Sequence, residues 1–104
     1  MSNLPISEQW HRAAHKWTEA ENSASLLEEC KSAVLAQRCV SLGDMPVARA
    51  EQTVKASADW HEYVTQMVKA RTEANKAKVD MEYLRMRFME WNSERATERT
   101  QARL

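Results

Sequence analysis

The C-terminal part of the chain repeats apolar side chains at the spacing of a coiled coil. With Trp60 at heptad position a, every a and d position from 60 to 91 holds an apolar or aromatic residue. Ten consecutive positions of this kind predict one long helix, over about 58–100, whose apolar stripe needs a partner along its length. The a positions are Trp60, Met67, Ala74, Met81 and Phe88, and the d positions are Tyr63, Ala70, Ala77, Leu84 and Trp91.

A matching stripe runs through the N-terminal third and predicts a first helix over about 8–41. Lys31 and Arg38 interrupt this stripe towards its C-terminal end. Its a positions are Trp10, Trp17 and Ala24, and its d positions are Ala13, Ala20, Leu27 and Val34.

Short segments of helix-ending and helix-starting residues separate the predicted helices. In Leu42-Gly43-Asp44-Met45-Pro46, Gly43 suits the C′ position of the first helix and Asp44 the N-cap of a short helix over about 46–56. Ser7 is the expected N-cap of the first helix, and either Ser57 or Asp59 that of the third. We therefore expect one helical domain over residues 1–104.

These elements predict an all-α fold in which two long helices, joined by the short one, form an elongated, coiled-coil-like antiparallel hairpin. The favoured register pairs Trp10 with Trp91 and Ala24 with Ala77, and it brings Arg38 to the ring of Tyr63. A slip by one heptad stays open, because periodicity alone does not exclude it. Residues 92–104 follow the last seam residue and are expected to overhang. The predicted core seam consists of Trp10, Trp17, Leu27, Trp60, Met67, Met81, Leu84, Phe88 and Trp91.

A hairpin of this length has a thin core, and apolar residues remain on its other faces. One interpretation is a second hydrophobic side that closes a homodimer, giving a helical bundle. The alternative is a set of scattered surface apolar residues, which are common in proteins. The residues concerned are Val54, Val64, Val68, Val79, Tyr83, Met86 and Met89.

Composition excludes several classes of protein. A single glycine in 104 residues argues against an all-β fold, a Rossmann turn and a P-loop, all of which need glycine in tight turns. Fifteen basic residues balance fifteen acidic ones, so no bulk charge steers the chain to nucleic acid or to an anionic membrane. Cys30 and Cys39 lie ~13 Å apart along one predicted helix, too far for a disulfide. Free thiols, no signal peptide and no apolar run long enough for a membrane span predict a cytoplasmic location.

No arrangement of residues predicts catalysis or metal binding. His11 and His15, with Glu19 one turn further on, have metal-like spacing on one helix. However, Arg12 occupies the place of a zincin glutamate, and ligands on one straight helix cannot surround a tetrahedral ion. We interpret these residues, and His61, as exposed helix surface. The expectation is a protein that is not an enzyme and uses no cofactor and no metal.

The C-terminal stretch 83–103 alternates five arginines with three glutamates. Arginine and exposed apolar side chains together predict a surface that binds a partner. An alternative is that Arg85, Arg87 and Arg95 lie along the aromatic seam and pair with glutamates one turn away. The predicted partner-binding residues are Tyr83, Arg85, Met86, Arg87, Met89, Arg95 and Arg99.

Four segments of the chain carry a resemblance to known proteins. They are Ala20-Glu21-Asn22, Val54-Lys55-Ala56-Ser57 before Trp60, Ala70-Arg71-x-x-Ala74-Asn75, and Leu84-Arg85-Met86-Arg87-Phe88-x-x-Trp91 leading into Ala96-x-x-Arg99. In these segments the chain resembles a family of small uncharacterised helical proteins that tailed phages and prophages encode. The resemblance implies an early-region accessory protein acting in the host cytoplasm, near recombination, replication or host defence, and it carries no catalytic residue.

Two function hypotheses follow from different classes. The first is an interaction module, an inhibitor for example, that binds and modulates a host or phage protein of DNA metabolism or defence. The second is a nucleic-acid-binding accessory protein of replication or recombination that uses the arginine-rich end of the third helix. A weaker third hypothesis is a helper in virion assembly.

Overall fold

The computed structural model describes residues 3–103 as an elongated helical hairpin measuring 83 × 23 × 16 Å. It contains α1 (Ile6–Ser41), α2 (Val47–Lys55) and α3 (Ala58–Arg103). Trp10, near the start of α1, packs against Phe88 towards the end of α3, and Arg38 lies over Trp60 at the other end. The two long helices are therefore antiparallel, and the predicted fold class is confirmed.

The turn after α1 follows the predicted glycine signal. Gly43 has a φ of +83°, a backbone conformation that favours glycine, and its N–H donates to the carbonyl of Val40 at 3.1 Å. Ser57 fulfils its expected role at the start of α3, because its Oγ accepts the N–H of Trp60 at 3.2 Å.

The other two predicted N-caps are wrong. Helix α1 begins after Pro5 and α2 after Pro46, and neither proline makes a side-chain cap hydrogen bond. The carbonyl of Pro5 accepts the N–H of Gln9, and that of Pro46 accepts the N–H of Ala50. Proline has a φ suited to helix entry, so each helix is entered at the proline rather than at the expected Ser7 or Asp44.

The core is thin and rich in alanine. Within residues 3–103, the buried apolar side chains are those of Ala24, Ala50, Val54, Trp60, Ala74 and Ala77. Ala24 and Ala74 are completely buried, so α1 and α3 come closest at their middles. Val54, expected on an outer face, is buried because α2 folds back against both long helices. None of the three helices in the described range is both long enough and apolar enough to cross a bilayer.

The predicted seam differs from the structure at its C-terminal end. The ring of Trp10 lies 5.7 Å from that of Phe88, three residues before the predicted contact with Trp91. Only about one turn of α1 precedes Trp10, so little of α1 remains to cover Trp91, which is 46% exposed. The prediction that Trp91 belongs to the core is therefore wrong. Trp60 is buried, and the remaining seam residues are half-buried: Trp10, Trp17, Leu27, Met67, Met81, Leu84 and Phe88.

Candidate protein-interaction surface

An ion cluster fastens α3 to α1 at mid-hairpin. Arg71 donates through Nε and Nη2 to the two carboxylate oxygens of Glu28, at 2.9 and 2.6 Å, and through Nη1 to Glu21 at 2.6 Å. The hydrogen bonds to Glu28, then to Glu21, raise the pKa of Arg71 above its ordinary value. The same bonds from Arg71 hold the pKa of Glu28 below its ordinary value. This cluster helps to hold the antiparallel arrangement that presents the C-terminal end of α3.

A ladder of aromatic rings leads from the core onto the uncovered end of α3. Phe88 packs at a tilt against Trp10 and stacks on Trp91, whose ring centroid lies 6.2 Å away. The guanidinium carbon of Arg95 lies 5.1 Å from the centroid of Trp91, within range of a cation–π interaction. We call Trp10, Phe88, Trp91 and Arg95 the aromatic end. A cleft beside it is lined by Ser7, Trp10, His11, Ala14 and Phe88.

The opposite side of α3 presents large apolar side chains to solvent. Tyr83, Met86 and Met89 are each more than half exposed, as is Val79 one turn earlier. The guanidinium carbon of Arg87 lies 6.0 Å from the ring centroid of Tyr83. Three of the predicted partner-binding residues therefore lie close together on this side.

Residues 92–103 continue α3 as an exposed helix. Within residues 3–103, neither Arg95 nor Arg99 has a carboxylate within 4.0 Å, and the same is true of Arg85 and Arg87. The alternative that these arginines pair with glutamates one turn away is wrong for the described residues. Arg87 and Arg95 stack on aromatic rings instead, and their remaining N–H groups are available to a ligand.

The structure thus divides the predicted partner-binding residues between two sides of α3. Met86 and Met89 lie on the outer side and Tyr83 at its edge, where it borders Ala13 and Lys16 of α1. Arg95 lies beside Trp91, on the side that faces α1 in the earlier part of the helix. Sequence reasoning missed Trp91 as an exposed residue. The sequence did contain a signal for this exposure. Trp10 and Arg38 are 28 residues apart, and so are Trp60 and Phe88. If these two segments of equal length are paired end to end, Trp91 lies just beyond the paired region, at the edge of the seam.

The closed end of the hairpin holds a partly buried cation. The Cζ atom of Arg38 lies 5.9 Å from the ring of Tyr63 and 6.0 Å from that of Trp60, so the predicted contact with Tyr63 is confirmed. Its Nη1 is buried and meets no hydrogen-bond acceptor among the described residues. Asp59, on the rim of the neighbouring cavity, opposes the binding of an anion there.

The two predicted surface histidines lie where the helix spacing puts them. His11 and His15 are exposed, and their Nε2 atoms are 3.2 Å apart. No third His, Cys, Asp or Glu joins them in residues 3–103 in an arrangement that could hold a metal ion. Cys30 and Cys39 are both free thiols and both half-buried.

Comparison of the chain with protein-family models, with curated proteins and with solved structures yields no match.

Proposed function

We propose that this chain is a non-enzymatic protein-interaction module that binds another protein through the aromatic end. One observation carries the proposal: the aromatic ladder continues past the start of α1 and leaves Trp91 about half exposed beneath Arg95. Tryptophan and arginine dominate the hot spots of protein interfaces, because a large flat ring fills a pocket while the guanidinium orients the partner. Both groups project here from one helix, α3.

The chemistry of this end defines the kind of partner that it fits. Trp91 suits an apolar pocket or the groove between two helices of another protein. Arg95 and Arg99, which meet no carboxylate among residues 3–103, suit acidic side chains on the rim of that pocket. We propose a partner with an apolar pocket bordered by carboxylates.

The proposed biological setting is that of a phage-type accessory protein. The chain would bind and modulate a host or phage protein of DNA metabolism or defence within the host cell. The resemblance of the sequence to small phage proteins supports this setting, and the surface described above supplies the means of binding.

The test compares capture of proteins by the wild-type chain and by two variants. The full-length chain is immobilised, exposed to a lysate of the host cells, and the retained proteins are identified by mass spectrometry and then purified. We expect Trp91→Ala to weaken direct binding of the purified partner by at least ~30-fold, as hot-spot loss does. Leu26→Ala is the matched control, because Leu26 is also an exposed apolar residue but lies on α1, away from this end. A partner that binds Trp91→Ala as tightly as wild type overturns the proposal.

Nucleic-acid binding is the second candidate, and Arg85, Arg87, Arg95 and Arg99, which meet no carboxylate within the part of the chain that the structure describes, favour it. Net charge over 83–104 is only +2, from five arginines and three glutamates, so a phosphate-binding surface needs the arginines of more than one copy. Fluorescence anisotropy with labelled single-stranded and duplex DNA tests this function. Binding that weakens steeply between about 50 and 200 mM salt supports it, and no binding at the lower salt concentration eliminates it.

A further inference from the structure

We infer that the outer side of α3 pairs with the same side of a second copy of this chain, antiparallel and about a two-fold axis near residue 84. This inference is independent of the proposed partner, because it concerns a different side of α3 and the purified protein alone. It identifies what covers the exposed apolar side chains.

The outer side of α3 carries a second heptad stripe that solvent exposure does not explain. Helical positions f and b, which point away from α1, hold one charged residue among eleven positions from 65 to 100, namely Glu82. An exposed face of a solvated helix is normally rich in charge, whereas a seam between helices is not. The stripe consists of Thr65, Val68, Thr72, Asn75, Val79, Glu82, Met86, Met89, Ser93, Ala96 and Thr100.

The largest residues of this stripe are open to solvent along its length. Val68 is 55% exposed, Val79 64%, Met86 60% and Met89 56%. Two shallow grooves indent the same side of the helix, one beside Val79 and one beside Met89. The first groove is lined by Thr72, Asn75, Lys76, Val79 and Asp80, and the second by Met86, Met89, Glu90, Ser93 and Glu94.

The positions of the two grooves select an antiparallel second copy as the occupant. They are centred about seven residues before and seven residues after residue 83, so a two-fold axis near this point places each groove opposite the other one. We use the register in which each f position lies opposite a b position of the second copy. Val79 then faces Met89 of the second copy, and Met89 faces its Val79. Each apolar side chain then has a groove to enter.

The charges on one flank of the stripe agree with this pairing, whereas on the other flank Arg85 of each copy lies near Arg85 of the second copy at the axis. Lys76 and Glu90 occupy the same flanking heptad position and lie equally far from residue 83. Two-fold pairing therefore brings Lys76 of each copy beside Glu90 of the other, twice in each dimer. The one charge within the stripe, Glu82, comes beside Arg85 of the second copy. In a parallel pairing Lys76 and Glu90 would not meet, because position c of one copy then lies beside position e of the other.

The same register gives the C-terminal overhang a partner. Residues 92–103 lie mostly beyond α1, and an isolated helical segment of this length is marginal in water. In the antiparallel pair, Ala96 faces Thr72 of the second copy and Thr100 faces its Val68. The overhang therefore packs along residues 65–76, in the first half of the second α3.

The expected dimer is of modest strength. About 36 residues of α3 overlap in each copy, which is a stripe ~54 Å long and ~10 Å wide. The two copies together would bury roughly 1,000 Å², close to the lower limit for specific interfaces. We expect a dissociation constant of about 1–100 µM, within the range of analytical ultracentrifugation.

Sedimentation equilibrium of the purified full chain tests the inference. Wild type is expected to pass from monomer to dimer as its concentration rises, and a chain that remains monomeric up to about 300 µM overturns the inference. Met86→Glu places a second carboxylate beside Glu82 of the other copy and is expected to raise the dissociation constant at least tenfold. Leu26→Glu on α1 is the control for adding a charge at an exposed apolar position, and it is expected to leave the constant unchanged.

A charge exchange distinguishes the antiparallel pair from every other arrangement. Lys76→Glu alone and Glu90→Lys alone each create two like-charge contacts and are expected to weaken the dimer. The double variant Lys76→Glu/Glu90→Lys restores both contacts and is expected to dimerise like wild type. A double variant that is as weak as the two single changes combined overturns the two-fold register, and capture of other proteins plays no part in either result.

Discussion

Ala24 and Ala74 determine how closely the two long helices approach, and enlarging one of them measures that contact. Both side chains are completely buried, and Ala77 one turn further is 5% exposed. Ala74→Leu adds three carbon atoms where α1 leaves no room, so the helices must separate or the new side chain must adopt a strained rotamer. Overpacking of this kind costs ~1–3 kcal/mol. For a chain of about 100 residues, a cost of ~2 kcal/mol lowers the melting temperature by about 8–16 °C.

Thermal unfolding followed by circular dichroism, at one protein concentration for all variants, measures this cost. Ala33→Leu is the matched control, because it makes the same chemical change at an exposed position of α1. We expect Ala33→Leu to stay within about 2 °C of wild type, since leucine and alanine are both strong helix formers. A melting temperature for Ala74→Leu that equals that of the control would refute the close approach of α1 and α3 at this point.

Two further substitutions test the aromatic end and the ion cluster. Phe88→Ala is expected to destabilise the chain by about 2 kcal/mol and Trp91→Ala by less, because Phe88 also packs on Trp10. Urea titration measures the free energy of unfolding of both variants. Equal losses of this free energy would contradict the partial exposure of Trp91. Glu28→Gln is expected to lower the melting temperature at pH 7, and the difference from wild type should close as the pH falls below about 4.5. The reason is that the pKa of Glu28 lies below its ordinary value of 4.5 in the folded chain, so its stabilising contribution is present above that pH and is lost as the carboxyl becomes protonated. A difference that persists unchanged at pH 3 would contradict the role of Arg71.

Heptad periodicity was sufficient to predict the architecture of the hairpin. The a and d residues of two long segments, with a glycine between them, specify two amphipathic helices that must turn back on each other. The antiparallel arrangement then follows from the short connection, and the burial of Ala24 and Ala74 agrees with the expected close approach.

The details that were wrong concern the ends of the helices. Periodicity repeats every seven residues and says little about where a partner stops, so Trp91 looked like a core residue although α1 hardly extends that far. The N-caps were mistaken because a serine or aspartate signal competes with a neighbouring proline, and the proline starts the helix. The hydrogen bonds from Arg71 to Glu28 and Glu21 join equivalent heptad positions on the two long helices. This pattern could have indicated from the sequence that the two helices are antiparallel.

The two surfaces proposed for α3 are compatible because they lie on different sides of one helix. Trp91 is at heptad position d and Met86 at f, about 140° apart around the helix axis at 100° per residue. A second copy that covers Met86 therefore leaves Trp91 open to another protein. With the two-fold axis near residue 84, the Trp91 residues of the two copies lie about 21 Å apart along the helix axis. A dimer would then present two aromatic ends, and a partner with two matching sites would bind it more tightly than it binds one chain, since the second contact forms within an existing complex.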